Sequence, residues 1–197
     1  EIAQRSYQLL TEKWGIAPED IYWDPLVFPC GTGDAQYVGS AVETIEGVRL
    51  IKQHFPRTRS VLGISNVSFG LPPAGREVLN SVFLYHCVQA GLDLAIVNSE
   101  KLQRFSSIPE EEIKLAEDLL FNRGSDPVAV FTAHFREKKP STIDRKSLPL
   151  EERLARYIIE GSKDGLYADL EEALQNSKPL NIINGPLMKG MDEVGRL

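Results

Sequence analysis

Three short apolar runs in this sequence end on polar side chains able to recognise a ligand. Asp24 closes the run that starts at Ile21, Asn66 the run from Ser60, and Asn98 the run from Leu92. A carboxylate and two carboxamides brought together suit a heterocycle with several N–H and carbonyl groups. The carboxylate accepts from ring N–H groups, and an amide donates and accepts at once. Each position also has a plainer reading, because Asp before Pro and Asn before Val commonly tie down turns through their own backbone. Three such residues at successive strand ends favour a pocket over three unrelated turns.

Other patterns lead nowhere comparable. Gly31-Thr32-Gly33 lacks the third glycine and the helix of a dinucleotide loop, and there is no P-loop. His54, His86 and His134 fall within predicted helices and share no metal-ligand spacing. Cys87 beside His86 reads as packing rather than a thiolate–imidazole couple. Neither Gly-x-Ser-x-Gly nor a paired-carboxylate arrangement occurs, so hydrolase chemistry has no support.

The elements that must position the three residues follow from periodicity. Ile2 to Lys13 reads as a helix, followed by a turn at Pro18-Glu19-Asp20 and the run Ile21 to Phe28. A helix begins at Ser40, where Ser40 and Glu43 form a capping box, with Val42, Ile45, Val48 and Ile51 at helical spacing. The run Ser60 to Phe69 precedes a helix from Glu77 to Ala90, which Gly91 stops in a left-handed conformation. Leu92 to Val97 is nearly all apolar, as a strand covered on both sides should be. Helices follow at about 109–122, capped by Ser107 and Glu110, and at about 127–138, begun by Asp126 and Pro127.

This alternation means parallel strands joined by crossover helices. Asp24 to Asn66 is 42 residues and Asn66 to Asn98 is 32, against roughly 31 per unit in an eight-unit barrel. A TIM barrel and an open doubly wound sheet both suit the spacing. Three strands cannot close a barrel, so the expectation is an open fold or an incomplete chain. From Lys138 to Pro149 the chain is charged, proline-bearing and poor in apolar residues, which reads as a linker. Beyond it, helices are expected at Leu150 to Glu160, ended by Gly161, at Leu166 to Gln175, and from Pro186 to Leu197. No strand intervenes, and an end at Gly195-Arg196-Leu197 without a cap is a second sign of truncation.

Composition narrows the class. Hydrophobic residues make up 42% and charged residues 25%, as in ordinary soluble globular proteins. No apolar run approaches the roughly 20 residues of a membrane helix, and the N-terminus has no signal-peptide core. A net charge of −6 without a basic block argues against nucleic-acid binding. Two cysteines, Cys30 and Cys87, form no disulfide framework and suit the cytoplasm. The residues alone thus give an α/β ligand-binding scaffold followed by a helical module.

The same residues carry a family resemblance. Pro18-Glu19-Asp20-Ile21-Tyr22-Trp23-Asp24-Pro25 resembles the segment of cobalamin-dependent methionine synthases that carries a pterin-binding aspartate. Ser65-Asn66-Val67-Ser68-Phe69-Gly70 resembles the signature that they share with methyltetrahydrofolate:corrinoid methyltransferases. Val82-Phe83-Leu84-Tyr85-His86, Ala90-Gly91-Leu92-Asp93 and Ile96-Val97-Asn98 continue the likeness. Leu150-Glu151-Glu152-Arg153-Leu154 and Gly185-Pro186-Leu187-Met188-Lys189-Gly190-Met191 resemble the opening of the cobalamin cap.

The resemblance implies an α/β fold: the C-terminal βα units of a TIM-barrel pterin-binding domain over 1–139, a linker at 140–149, and the N-terminal part of an all-α cobalamin cap over 150–197. It implies methyl transfer from 5-methyltetrahydrofolate to cob(I)alamin, and in the complete enzyme to homocysteine, giving methionine. Asp24, Asn66, Arg76 and Asn98 become the pterin-binding residues, with Asn66 also catalytic through N5. Cobalamin, carried as methylcobalamin in turnover, would be bound mainly by domains outside these residues, and zinc would belong to a homocysteine domain. The implied partners are methyltetrahydrofolate and the cobalamin- and homocysteine-binding domains of the same protein, with no nucleic acid and no membrane. The chain alone is expected to be inactive. A non-catalytic pterin or corrinoid binder, a corrinoid methyltransferase outside methionine synthesis, and a half-barrel scaffold remain the alternatives.

Overall fold

The computed structural model describes residues 1–136, 148–160, 163 and 165–196. The chain divides into two compact units, Glu1–Pro140 and Ser141–Leu197. The expected linker lies outside the described residues except for Leu148 and Pro149, and so does Gly161.

The first unit is α/β with a parallel sheet, the class the alternation predicts. Helix α1 (Ile2–Gln8) runs on through a π turn at Leu9–Lys13. Strand β1 (Tyr22–Trp23) lies beside β2 (Arg59–Gly63), and β2 beside β3 (Leu94–Ile96), in the order β1-β2-β3. The register sets Trp23 opposite Ser60 and Gly63 opposite Ile96. Helix α2 (Ser40–His54) connects the first pair and α3 (Pro73–Gln89) the second, followed by α4 (Glu110–Leu120) and α5 (Pro127–Phe135). One face of β2 sends Leu62 into a core with Val48, Ile64, Val67, Leu79, Phe83 and Phe131, all fully buried. Gly75 lets α5 close on α3, because a Cβ there would stand 2.7 Å from the Phe131 ring.

Several local expectations need correction. Neither capping box forms. Gly39, at φ +82°, turns the chain into α2 and is its N-cap, so Ser40 is already helical and its hydroxyl is buried without a partner. Pro109 is the N-cap of α4, and Ser107 belongs to a preceding 3-10 turn, where its hydroxyl donates to the Arg104 carbonyl. Helix α3 starts four residues before Glu77, because Pro73 at its first position needs no backbone N–H partner. β3 is not covered on both sides: Leu94 and Ile96 are 42% and 67% exposed at the end of the strand order. Gly91 does take a left-handed conformation, at φ +101°, and Asp126 caps α5 by accepting from the Ala129 N–H at 3.0 Å.

The second unit has helices and no strand among its described residues. α6 (Leu150–Glu160) and α7 (Leu166–Asn176) are joined by Arg153, whose guanidinium donates to Asp169 and Glu172, and by the Tyr157 hydroxyl donating to Asp169. The last helical stretch begins at Pro179 rather than Pro186. α8 (Pro179–Ile182) passes through a π turn at Ile183–Leu187, with Pro186 inside it, into α9 (Met188–Arg196). Gly190 packs so closely that a Cβ there would stand 2.5 Å from the Ala155 carbonyl oxygen.

At the end of the sheet opposite Asn66, Asp93 ties β2 to the start of β3. Its carboxylate accepts from Lys52 Nζ at 2.7 Å and from the Ser60 N–H at 2.8 Å. Burial pushes this carboxyl up, but the Lys52 and Ser60 bonds outweigh it and hold it below the usual range. A carboxyl lowered by folding stabilises fully above its unfolded titration range, about pH 4, and that contribution is lost as pH falls through the folded value. Asp93→Asn is therefore expected to cost about 1–3 kcal/mol at neutral pH. Urea melts should show the gap from the parent protein closing as the pH is taken down towards 3.

Candidate functional site

Parallel pairing aligns the C-terminal ends of the three strands, and a cleft of about 540 Å³ opens there. Its polar lining is Asp24, Ser65, Asn66 and Asn98, and its apolar lining is Leu26, Val27, Phe28, Ile96 and Val97, with Gly63 between. A volume of this size and a mostly apolar wall with a few convergent polar groups suit a small-molecule site. Asp24, Asn66 and Asn98 are thus brought together, although they stand 74 residues apart from first to last.

The turn reading and the pocket reading both hold for the two outer residues. Asp24 Oδ1 accepts from the Leu26 N–H at 2.9 Å, which leaves its other oxygen for a ligand. Asn98 Oδ1 accepts from the Glu100 N–H at 3.1 Å and caps the turn Ser99–Lys101, which leaves its NH2 group. Leu26 sits at φ +67°, a conformation costly for a side chain with a Cβ. The Asp24 carboxylate holds it from one side, and the Thr44 hydroxyl, donating to the Leu26 carbonyl at 3.0 Å, from the other.

Asn66 is placed differently. It lies in a 3-10 turn, Ile64–Ser68, directly after β2, and its carboxamide makes no hydrogen bond to the described residues. Gly63 makes room for it, because a Cβ there would approach Asn66 Nδ2 at 3.1 Å. The turn itself is well anchored. Val67's carbonyl accepts from the Cys30 N–H at 3.0 Å and from the Cys30 thiol at 3.4 Å. Arg76, in the first turns of α3, donates through Nε to Ser68 Oγ at 3.1 Å and through Nη2 to the Ser65 carbonyl at 3.5 Å. Arg76 is not among the residues lining the cleft.

Sequence reasoning missed Gly63, Ser65, Leu26 and Cys30. A glycine at the end of a strand run signals a close approach, so Gly63 was findable. The contacts of Cys30 and Leu26 are not, since they depend on which loop lies against which turn. The histidines are spread out: His86 Nε2 pairs with Glu117 at 3.0 Å, His54 with the Leu50 carbonyl, and His134 faces Glu112 at 3.6 Å. His86 is thus engaged away from Cys87, as packing predicts. Among the described residues no group of three His, Cys, Asp or Glu could hold a metal ion.

Comparison with known proteins gives these positions a context. Residues 1–98 match the family of pterin binding enzymes and residues 150–197 the B12 binding domain. The whole chain is 42% identical to the methionine synthase of Mycobacterium tuberculosis (strain ATCC 25618 / H37Rv). It is 40% identical, again over its whole length, to that of Mycobacterium leprae (strain TN). It spans 17% of the length of each of these relatives.

Burial pushes the thiols of Cys30 and Cys87 up to about 12. The thiolate is the reacting species, so at pH 8 only about one molecule in 10⁴ carries it. A disulfide reagent at that pH is expected to leave both thiols unmodified in the folded protein. They should react fully once it is unfolded in guanidinium, which the released chromophore would count.

Proposed function

We propose that this chain, which belongs to the methionine synthase family, binds 5-methyltetrahydrofolate between Asp24, Asn66 and Asn98 for methyl transfer to cobalamin. In the complete protein the methyl group would pass on to homocysteine. The observation that carries the reading is the convergence of these three side chains, each with hydrogen-bonding capacity left over, in one cleft at the ends of parallel strands.

The free oxygen of Asp24 accepts from the amino and N–H edge of the pterin. The Asn98 NH2 group donates to a ring acceptor, and Leu26, Phe28 and Ile96 cover the faces of the ring. A tertiary amine is a poor leaving group, because N5 would depart as an amide anion; N5 must first take up a proton from solvent, so that it leaves as a neutral secondary amine. The Asn66 carboxamide oxygen accepts a hydrogen bond from the N–H of protonated N5. That bond is made only with protonated N5, so it favours the reacting form over the unprotonated ground state and lowers the barrier more than it tightens ground-state binding.

Cobalamin, when bound, supplies the metal-centred nucleophile that accepts the methyl group. The helical unit, which matches the B12 binding domain, is where the corrin would lie. Leu180, Ile183, Met188, Met191 and Val194 are exposed along Pro179–Arg196. A hollow of about 560 Å³ beside Leu154 and Ile182 is edged by Asn176, Asn181 and Asn184, which can bond peripheral amides, and by the charged Glu151, Lys189 and Asp192. All three histidines of the chain lie in the first unit, so the residues that would hold the corrin here are apolar side chains and amides, with no imidazole among them. We assign barrel and cap to 1–139 and 150–197, zinc to a homocysteine domain, and the protein to the cytoplasm. No helix of the described residues is long and apolar enough to cross a membrane.

The test is made in the complete gene product, by following loss of cob(I)alamin absorbance on addition of methyltetrahydrofolate. Asn66→Ala is expected to slow that loss roughly 100- to 1,000-fold with a smaller effect on folate affinity. Asp24→Asn keeps the acceptor for Leu26 but removes the charge, and is expected to weaken folate binding about 10- to 100-fold. Folate binding without any cob(I)alamin loss in the parent protein would leave a binder rather than a methyltransferase.

A further inference from the structure

We propose that Arg76 is a positioning residue: it holds the turn that carries Asn66 and does not touch the ligand. The proposal rests on the reading of Asn66 as the group that faces N5. Three bonds form a triangle around the turn. Arg76 Nε donates to Ser68 Oγ at 3.1 Å, Arg76 Nη2 to the Ser65 carbonyl at 3.5 Å, and Ser68 Oγ to the same carbonyl at 3.2 Å. Ser65 and Ser68 bracket Asn66, and Ser68 is fully buried. Ser65 and Asn66 line the cleft while Arg76 does not, so the guanidinium backs the turn from the α3 side.

A five-residue 3-10 turn has few bonds of its own to fix its shape. Here the Asn66 carbonyl takes the Phe69 N–H at 3.2 Å and the Ser68 carbonyl takes the Leu71 N–H at 3.2 Å. These bonds and those within the 3-10 turn shape it from inside but do not tie it to α3, and a shift of the turn would move the carboxamide. The guanidinium, reaching two acceptors with a planar fork, pins it. Lysine, a point charge on a flexible stem, reproduces that only in part. The separate bonds from Cys30 to Val67 keep the turn attached when Arg76 is replaced, so the variants should fold.

The experiment uses the complete gene product with two methyl donors: methyltetrahydrofolate, and methyltetrahydropterin without the aminobenzoylglutamate tail. Arg76→Gln is expected to slow cob(I)alamin loss roughly 10- to 100-fold, by the same factor for both donors and with KM little changed. Arg76→Lys should recover part of that loss. Added to Asn66→Ala, Arg76→Gln should cost nothing further, because two residues acting through one contact are not additive. Ser68→Ala, which removes one of the two acceptors without touching charge, should show the same kcat-only loss if Arg76→Gln proves insoluble. A defect confined to the tailed donor would overturn the proposal by making Arg76 a ligand contact, and so would full additivity with Asn66→Ala. An Asn66→Ala variant with parental methyl transfer would instead overturn the reading of Asn66 itself, and this proposal with it.

Discussion

Parallel pairing makes successive strands end on the same side of a sheet, and the cleft depends on that constraint. Trp23 opposite Ser60 and Gly63 opposite Ile96 fix where each strand stops relative to its neighbour. A one-residue slip in either pairing would reverse which side chains face the cleft. At the far end of the same strands, the Asp93 carboxylate bridges Ser60 and Lys52, and Gly91 lets the Lys52 stem lie across the bend that starts β3. Bonds at one end of the sheet therefore set the geometry at the other, in the division between stability and ligand faces found in barrel proteins.

The side chains at the strand ends do two jobs at once. Asp24 and Asn98 each commit one oxygen to the chain's own backbone and keep the rest for a ligand. That commitment fixes the rotamer before a ligand arrives, so less freedom is lost on binding. Asn66 is the exception, because its own amide is uncommitted and its orientation depends on the peptide groups around it. Held backbone and free side chain suit the role proposed for it, a bond made only when N5 is protonated.

Much of this was legible in the sequence because local signals decided it. Asp126 before Pro127 gave the start of α5, Gly91 the end of α3, and the apolar spacing of Leu154, Tyr157 and Ile158 the helix α6. The three strand-end polar residues could be picked out because strand direction is implied by helix-length connections. What stayed hidden depended on contacts distant in sequence. Ser40 and Glu43 satisfy the capping-box pattern, yet Gly39 takes the cap because its left-handed backbone suits the path from the preceding loop. The apolar content of Leu92 to Val97 suggested cover on both faces, whereas Leu94 and Ile96 remain open to solvent in this chain. Arg76 has the chemistry of a ligand contact, and its bonds to the Ser68 hydroxyl and the Ser65 carbonyl could not be read from the sequence.

The π turn at Ile183–Leu187 sets the phase of the last helical stretch. In a plain α-helix, residues seven apart return to nearly the same face. Ile182 and Gly190 are eight apart, yet both are buried, Gly190 against the Ala155 carbonyl of α6. The wider turn absorbs the extra residue, so both sides of it point the same way. Removing one residue from 183–187 would let the turn tighten to α with Gly190 still facing Ala155, whereas inserting one there would rotate α9 by about 100° and present a side chain where only a glycine fits.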